Sequence, residues 1–199
     1  MTNEPLGASH APGATPLDPD EIAMLMPTAV FTQAELNEWE QANIVEGTTW
    51  ARSRRKRQIL TAEFLRELHF RMFGRTWTWA GAFRHSNKNI GGDWSLVPSA
   101  MQDLLNDTRY WIEHSTYPRD EIGARFHHRL VLIHPFPNGN GRFARLATDV
   151  LLERELIVSA FTWGNGHLDE ASATRARYIA ALRAADKHDI TRLVSFVRS

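Results

Sequence analysis

The stretch His134-Pro135-Phe136-Pro137-Asn138-Gly139-Asn140-Gly141-Arg142-Phe143-Ala144-Arg145 constrains this chain more than any other. It follows an apolar helical run (Ile122, Phe126, Leu130, Val131, Ile133) and precedes another (Leu146, Val150, Leu151, Leu152), so it reads as a loop between two core helices. Pro135 and Pro137 forbid a continued helix, because each lacks an N–H and restricts the residue before it. Gly139, Asn140 and Gly141 tolerate backbone angles that aim successive N–H groups into one concavity. At a helix N-terminus such a nest attracts anions, since the first N–H groups have no partner within the helix. Arg142 and Arg145 lie on one face of the first helical turn beside it, and a guanidinium binds phosphate oxygens in pairs. His134, at the other end, can take a proton near neutral pH. The residues alone therefore describe a phosphate cradle with a base at its mouth.

A Gly/Asn-rich turn between helices is common by itself, and a lone His before a Pro is usually structural. The combination is more specific: it resembles the signature of the Fic family, His-x-Phe-x-Asp/Glu-Gly-Asn-Gly-Arg-x-x-Arg, and departs from it only at Asn138. The resemblance covers roughly residues 60 to 198, and the overall pattern also resembles the small Fic subgroup called mobile mystery protein B. It implies an all-α, Fic-type helical domain with a small β-hairpin flap. It also implies transfer of AMP from ATP to a Tyr, Thr or Ser hydroxyl of a target protein, with release of pyrophosphate. His134 would be the base, Phe136 the anchor of the loop, Gly139, Asn140 and Gly141 the cradle for the α-phosphate, and Arg142 and Arg145 the holders of the outer phosphates. In the family the residue at position 138 is a carboxylate that binds Mg²⁺. Asn138 is neutral, which implies weakened dependence on Mg²⁺ and lower activity.

The resemblance has two further carry-overs. Fic proteins are often restrained by a helix carrying Ser/Thr-x-x-x-Glu-Gly/Asn, and the matching segment is Ala42-Asn43-Ile44-Val45-Glu46-Gly47. Glu46 would pair with Arg145 and withhold it from the γ-phosphate, while Ala42 lacks the family's hydroxyl. The flap that receives a target segment as an added strand would be Asn89-Ile90-Gly91-Gly92-Asp93-Trp94, with Gly81 and Arg84 just before it. The same cradle also suits another nucleotide, phosphate or phosphocholine transfer, or removal of AMP.

Organisation along the chain follows from composition and punctuation. At 199 residues it suits one medium domain. Residues 1–28, rich in Pro, Gly, Ala and Asp, read as a flexible lead-in, with Ile22, Met24, Leu25 and Met26 as candidates to tuck against the domain. Residues 29–59 hold a helix that begins at the capping box Thr32-Gln33-Ala34-Glu35, runs through Leu36, Trp39, Ile44 and Val45, and ends near Glu46-Gly47. The core spans 60–199. Its first helix starts at Leu60-Thr61-Ala62-Glu63 with the stripe Phe64, Leu65, Leu68 and Met72. The glycine-rich hairpin region runs to Val97, and a helix from Pro98 carries Met101, Leu104, Leu105, Trp111 and Ile112 inward until Tyr117-Pro118 breaks it. The two helices around the signature follow, then a loop at Gly164-Asn165-Gly166 and helices near 168–185 and 190–197.

Charge and cysteine content prune the rivals. With 23 basic and 23 acidic residues the formal charge is zero, so bulk electrostatics do not advertise nucleic acid or a membrane. No cysteine is present, which excludes disulfides and thiolate chemistry and fits a cytoplasmic setting. No apolar run spans a membrane, no secretory signal is visible, and nothing repeats at a fixed period. His127, His128 and His134 invite a zinc-hydrolase reading, but the supporting acid of HExxH is missing, and His127 suits support of the active-site helix better. The basic run Arg52, Arg54, Arg55, Lys56 and Arg57 would matter if the chain worked beside a DNA-binding regulatory partner. It reads more simply as a solvated face, without direct nucleic-acid binding.

Overall fold

The computed structural model describes residues 15–28, 30, 32–53, 58–166, 168 and 172–199. The described residues form helices and no strand ladder. After a short turn α1 (Pro19–Ile22) comes the long α2 (Gln33–Ser53), lying along α3 (Ala62–Phe73). A loop leads through a 3₁₀ turn (Trp94–Leu96) into α4 (Val97–Glu113). Helix α5 (Arg119–Ile133) packs between α4 and α6 (Asn140–Arg154), and α7 (Ala173–Ala185) with α8 (Thr191–Val197) closes the far side against α5.

The helix starts are local chemistry. Thr32 and Glu35 form the expected capping box, the Thr32 N–H donating to Glu35 Oε2 at 2.9 Å and the Glu35 N–H to Thr32 Oγ1 at 3.3 Å. Thr61 Oγ1 caps α3 by accepting from the Phe64 N–H at 3.1 Å. The α3 stripe Phe64, Leu65, Leu68 and Met72 is buried as the spacing required, as are Met101, Leu104 and Leu105 of α4. Phe126, Phe136, Phe143 and Trp77 fill the centre.

Helix α2 departs from expectation. It runs through Gly47 to Ser53, because Gly47 is a packing residue and not a terminator. A Cβ there would lie 2.8 Å from Met72 Cγ and 3.1 Å from Met72 Cα, so glycine lets α2 and α3 approach closely. Its inward face is Leu36, Glu40, Asn43, Gly47 and Ala51, spaced three or four apart. Trp39 and Val45, read as apolar helical positions, are 46% and 56% exposed. A helix that turns Glu and Asn inward and Trp outward has its buried face set by something other than hydrophobicity.

The lead-in also differs. Residues 1–14 lie outside the described residues, but Met24 to Met26 pair antiparallel with Thr76 to Thr78, with a bridge between Leu25 and Trp77. The Met26 N–H donates to Thr76 O at 2.8 Å and the Thr78 N–H to Met24 O at 3.2 Å. The arginine-run residues 54–57 lie outside the described residues; Arg52 pairs with Glu153 of α6.

Candidate active site

The signature loop is built from its backbone outward. Helix α5 ends at Ile133, and His134 turns the chain in the left-handed region (φ 52°) with its N–H still bonded to Leu130 O. Phe136 is fully buried, stacked at 3.7 Å on His69 of α3 and perpendicular to Phe143 of α6. Asn140 closes the loop: its Oδ1 accepts from the Phe136 N–H at 2.9 Å and its Nδ2 donates to Phe136 O at 2.8 Å. Gly139, at φ 77°, is the N-cap of α6, and a Cβ on it would meet Phe73 at 2.7 Å. No other residue type suits that spot. Helix α6 thus presents its N-terminal amides with no side chain capping them, and a Cβ on Gly141 would meet only Arg145 Nη1, at 3.9 Å.

Two fully buried side chains that carried no assigned role in the sequence hold this loop. The Nδ1 of His69 accepts from the Gly81 N–H at 3.0 Å, which leaves its Nε2 to donate to Asn138 O at 3.1 Å. Burial keeps this imidazole neutral, its pKa pushed down to about 3. Arg84 reaches four carbonyls: His134 at 2.7 Å, Ser86 and Gly92 at 2.8 Å, and Ile133 at 3.5 Å. Its own N–H donates to Pro135 O. One guanidinium therefore ties the signature loop to residues 86–92.

That clamp explains why the expected hairpin is absent. Residues 85–93 form bends, because their hydrogen-bonding groups go to side chains in place of a facing strand. Arg84 takes the Ser86 and Gly92 carbonyls, Asn87 Oδ1 accepts from the Trp94 N–H at 2.9 Å, and Asp93 accepts from the Ser95 N–H. Asn89, Asp93 and Trp94 are exposed, Ile90 and Gly91 half-buried, so the segment is accessible as a loop.

His134 is 5% exposed. Burial first, and then the nearby Arg84 charge, push its pKa down to about 4, so it is neutral at pH 7. Its Nε2 lies 2.9 Å from the hydroxyl oxygen of Thr15. Asn138 Nδ2 donates to the Thr15 carbonyl at 3.0 Å, while Asn138 Oδ1 accepts from the Gly139 N–H at 2.6 Å.

The arginines have separate surroundings. Arg142 bonds Glu40 Oε2 at 2.7 Å and lies over the Phe73 ring, and the other Glu40 oxygen accepts from Trp77 Nε1 at 2.7 Å. Arg145 is held beside Tyr178 of α7, whose hydroxyl is 2.8 Å from His127 Nε2. His127 is thus a buried support, as its helical position suggested, and His128 pairs with Asp186. Glu46 does not sit where the restraint motif would put it. It lies one position off the buried face of α2, about half exposed, and pairs with Arg75 at 2.8 Å. The acid of α2 that reaches a signature arginine is Glu40, visible in sequence only as a charge in register with Leu36 and Gly47.

Residues 59–152 match the sequence model of the Fic/DOC family. That region of the chain is a Fic/DOC domain. The Fic domain of a VirB-translocated effector from Bartonella quintana, with bound ADP, superposes with a TM-score of 0.68 over 86% of each chain at 17% identity, a likeness of fold. The protein adenylyltransferase Fic of Drosophila virilis is 31% identical over 143 residues, which is 69% of this chain and 28% of that protein. A uridine 5'-monophosphate transferase of Xanthomonas campestris is 35% identical over 96 residues, 44% of this chain and 17% of that one. The chain spans about a quarter of the length of the adenylyltransferases it matches. Thr15 and Glu40 both precede the region that the Fic/DOC family model matches. No helix among the described residues is long and apolar enough to cross a membrane.

Proposed function

We propose that this Fic domain transfers AMP from ATP to a Tyr, Thr or Ser hydroxyl of a target protein and releases pyrophosphate. The observation that carries this reading is the placement of neutral His134, its Nε2 hydrogen-bonded to a hydroxyl at the entrance to the α6 N-terminus. The amides of Gly139 to Gly141 hold the α-phosphate, and Arg142 and Arg145 take the outer phosphates. His134 accepts the hydroxyl proton as oxygen attacks the α-phosphorus. Such transfers draw their rate from positioning and from stabilising spread negative charge, which suits a cradle locked by His69, Asn140 and Arg84.

Mg²⁺ finds little on the protein side. Asn138 offers one neutral oxygen that already accepts an amide, and the described residues contain no cluster of three acidic or histidine side chains. These donors do not build a Mg²⁺ site, and any ion would be held by the triphosphate. Restraint, on this reading, falls to Glu40 in place of Glu46. A carboxylate on Arg142 occupies the position a phosphate must take, so nucleotide binding has to displace it. The match to a uridine monophosphate transferase supports a second reading in which the nucleoside is uridine.

The test is label transfer from α-labelled ATP, and in parallel UTP, into lysate proteins. Wild type, His134→Ala, Glu40→Gln and Asn138→Asp would be compared. His134→Ala should lower transfer by about 10²- to 10⁴-fold, the usual worth of a general base. Glu40→Gln should raise it at low nucleotide, and Asn138→Asp should tighten the apparent dependence on Mg²⁺. Undiminished transfer in His134→Ala overturns the reading, and label from UTP alone replaces the donor.

A further inference from the structure

The acceptor side of this site is occupied by the chain itself. Thr15 precedes the family match, yet its hydroxyl oxygen lies 2.9 Å from His134 Nε2, and its carbonyl accepts from Asn138 Nδ2 at 3.0 Å. Asn138 adjoins Gly139, the N-cap of α6. Thr15 therefore stands between the base and the anion cradle, where an incoming hydroxyl has to be.

Its seating is built and not incidental. Lys88, with only 3% of its side chain exposed, bonds Asp18 at 2.7 Å and Glu21 at 2.7 Å. Ser86 donates to Asp18 Oδ2 at 3.2 Å, and Trp79 Nε1 to Glu21 O at 3.4 Å. Beyond α1, Met24 to Met26 pair with Thr76 to Thr78. Residues 86–92 are themselves tied to the His134 carbonyl by Arg84, so the clamp that places the base also places the docking loop. The His134 ring is arranged for the same exchange. His134 Nδ1 is buried without a hydrogen-bond partner among the described residues, so Nε2, facing the Thr15 hydroxyl at 2.9 Å, is the ring nitrogen placed to exchange a proton with it.

We propose that Thr15 is an acceptor of the nucleotidyl group, modified in cis by the chain's own active site. This rests on the transfer reading given above. Thr15 Oγ1 attacks the α-phosphorus of a nucleoside triphosphate, and the Oγ1–P bond forms as the bond from that phosphorus to the β-phosphate bridging oxygen breaks. The hydroxyl proton passes to His134 Nε2, and pyrophosphate leaves from Arg142 and Arg145. The product is a phosphodiester-linked nucleotide on the segment that fills the acceptor groove. A modified Thr15 no longer fits between base and cradle, so the reaction also clears the groove for other hydroxyls.

The test is self-labelling of the full chain with α-labelled ATP or UTP and Mg²⁺, with the label mapped by peptide mass spectrometry. Wild type, Thr15→Ala, Thr15→Ser and His134→Ala would be compared, each also carrying Glu40→Gln to remove that competitor for Arg142. The expected label maps to residue 15, is lost in Thr15→Ala and His134→Ala, and survives in Thr15→Ser. Its first-order rate should not change on dilution, as an intramolecular reaction requires. Label elsewhere that is untouched by Thr15→Ala overturns the proposal. So does labelling of lysate proteins with none on Thr15, which would make the segment an occupant only and leave the transfer reading standing. Absence of label on any protein from every version sinks both together.

Discussion

The signature loop and the segment 15–28 meet at one histidine, and they are held by opposite means. The loop is fixed by side chains that are themselves buried: His69, Arg84 and Asn140 are 0%, 1% and 3% exposed. Each bonds a backbone group whose partner would otherwise be missing, so the bonds cannot be exchanged for water. The segment has no buried residue in α1 and is pinned by charges, with the Asp18 side chain 53% exposed. The half-exposed Asp18 pair is worth little and is readily broken, so the hold nearest Thr15 is the weakest of the segment. The difference separates a part that must not move from a part suited to leaving.

Replacing Arg84 by Met tests that contrast most severely. It strands the buried His134 carbonyl, and at ~1–3 kcal/mol for an unsatisfied buried group the loss should reach about 2 kcal/mol in denaturant unfolding, the part-buried Ser86 and Gly92 carbonyls being left to water. Arg84→Lys should not restore it, since one ammonium cannot reach carbonyls in three directions. A loss under ~1 kcal/mol would break the claim that this loop is locked by Arg84.

Acid should loosen the locked part next. His69, His127 and His134 have pKa values pushed down to about 3, 3 and 4 by burial, so the unfolded chain binds protons near pH 6.5 where the folded chain does not. Stability is therefore full above pH 6.5 and falls as pH drops toward 4, by about 1.4 kcal/mol per unit for each histidine at full effect. Asp149, raised to about 6 by burial, works the other way, since the folded chain takes its proton first. Three groups outweigh one, and urea midpoints measured from pH 7 to 4.5 should fall. A flat profile would mean that the histidines are not held neutral.

The smallest effect belongs to the segment. Asp18→Asn removes one exposed pair while Lys88 keeps Glu21, so global stability should change by ~0–1 kcal/mol. Limited proteolysis near residues 15–23 should nevertheless speed up. Equal protection in both proteins would show that the ion pair does not pin the segment.

Much of the locked part was legible in the sequence, because it concentrates unusual residue types. Two prolines, three small polar residues and paired arginines within one interhelical loop left few alternatives, and the helices around it follow their apolar spacing. The supports were less visible. His69 sits within an ordinary apolar stripe, and nothing in its spacing marks it as the partner of a loop about seventy residues away. Glu40 was hidden because a helix is read by its apolar residues, and here the buried face carries a carboxylate while Trp39 faces out. Glu46 fitted a short motif but falls one position off that face, a displacement of about 100° around the helix. The hairpin was over-read from glycines that serve Arg84. Thr15 gave no signal, since a threonine in a proline-rich lead-in becomes informative only when its neighbours in space are known.

Trp77 has a consequence of its own. Its indole N–H is held by Glu40, which also holds Arg142, and its backbone bridges Leu25 just beyond the segment over the base. Under the proposed nucleotide binding, a phosphate at Arg142 would free Glu40 from the arginine and so change the charge and position of the carboxylate that accepts from the indole. The molecule would thus carry a built-in gauge: in a variant that keeps Trp77 alone of the seven tryptophans, its emission during nucleotide titration would report the donor pocket filling from the side that touches the acceptor strap.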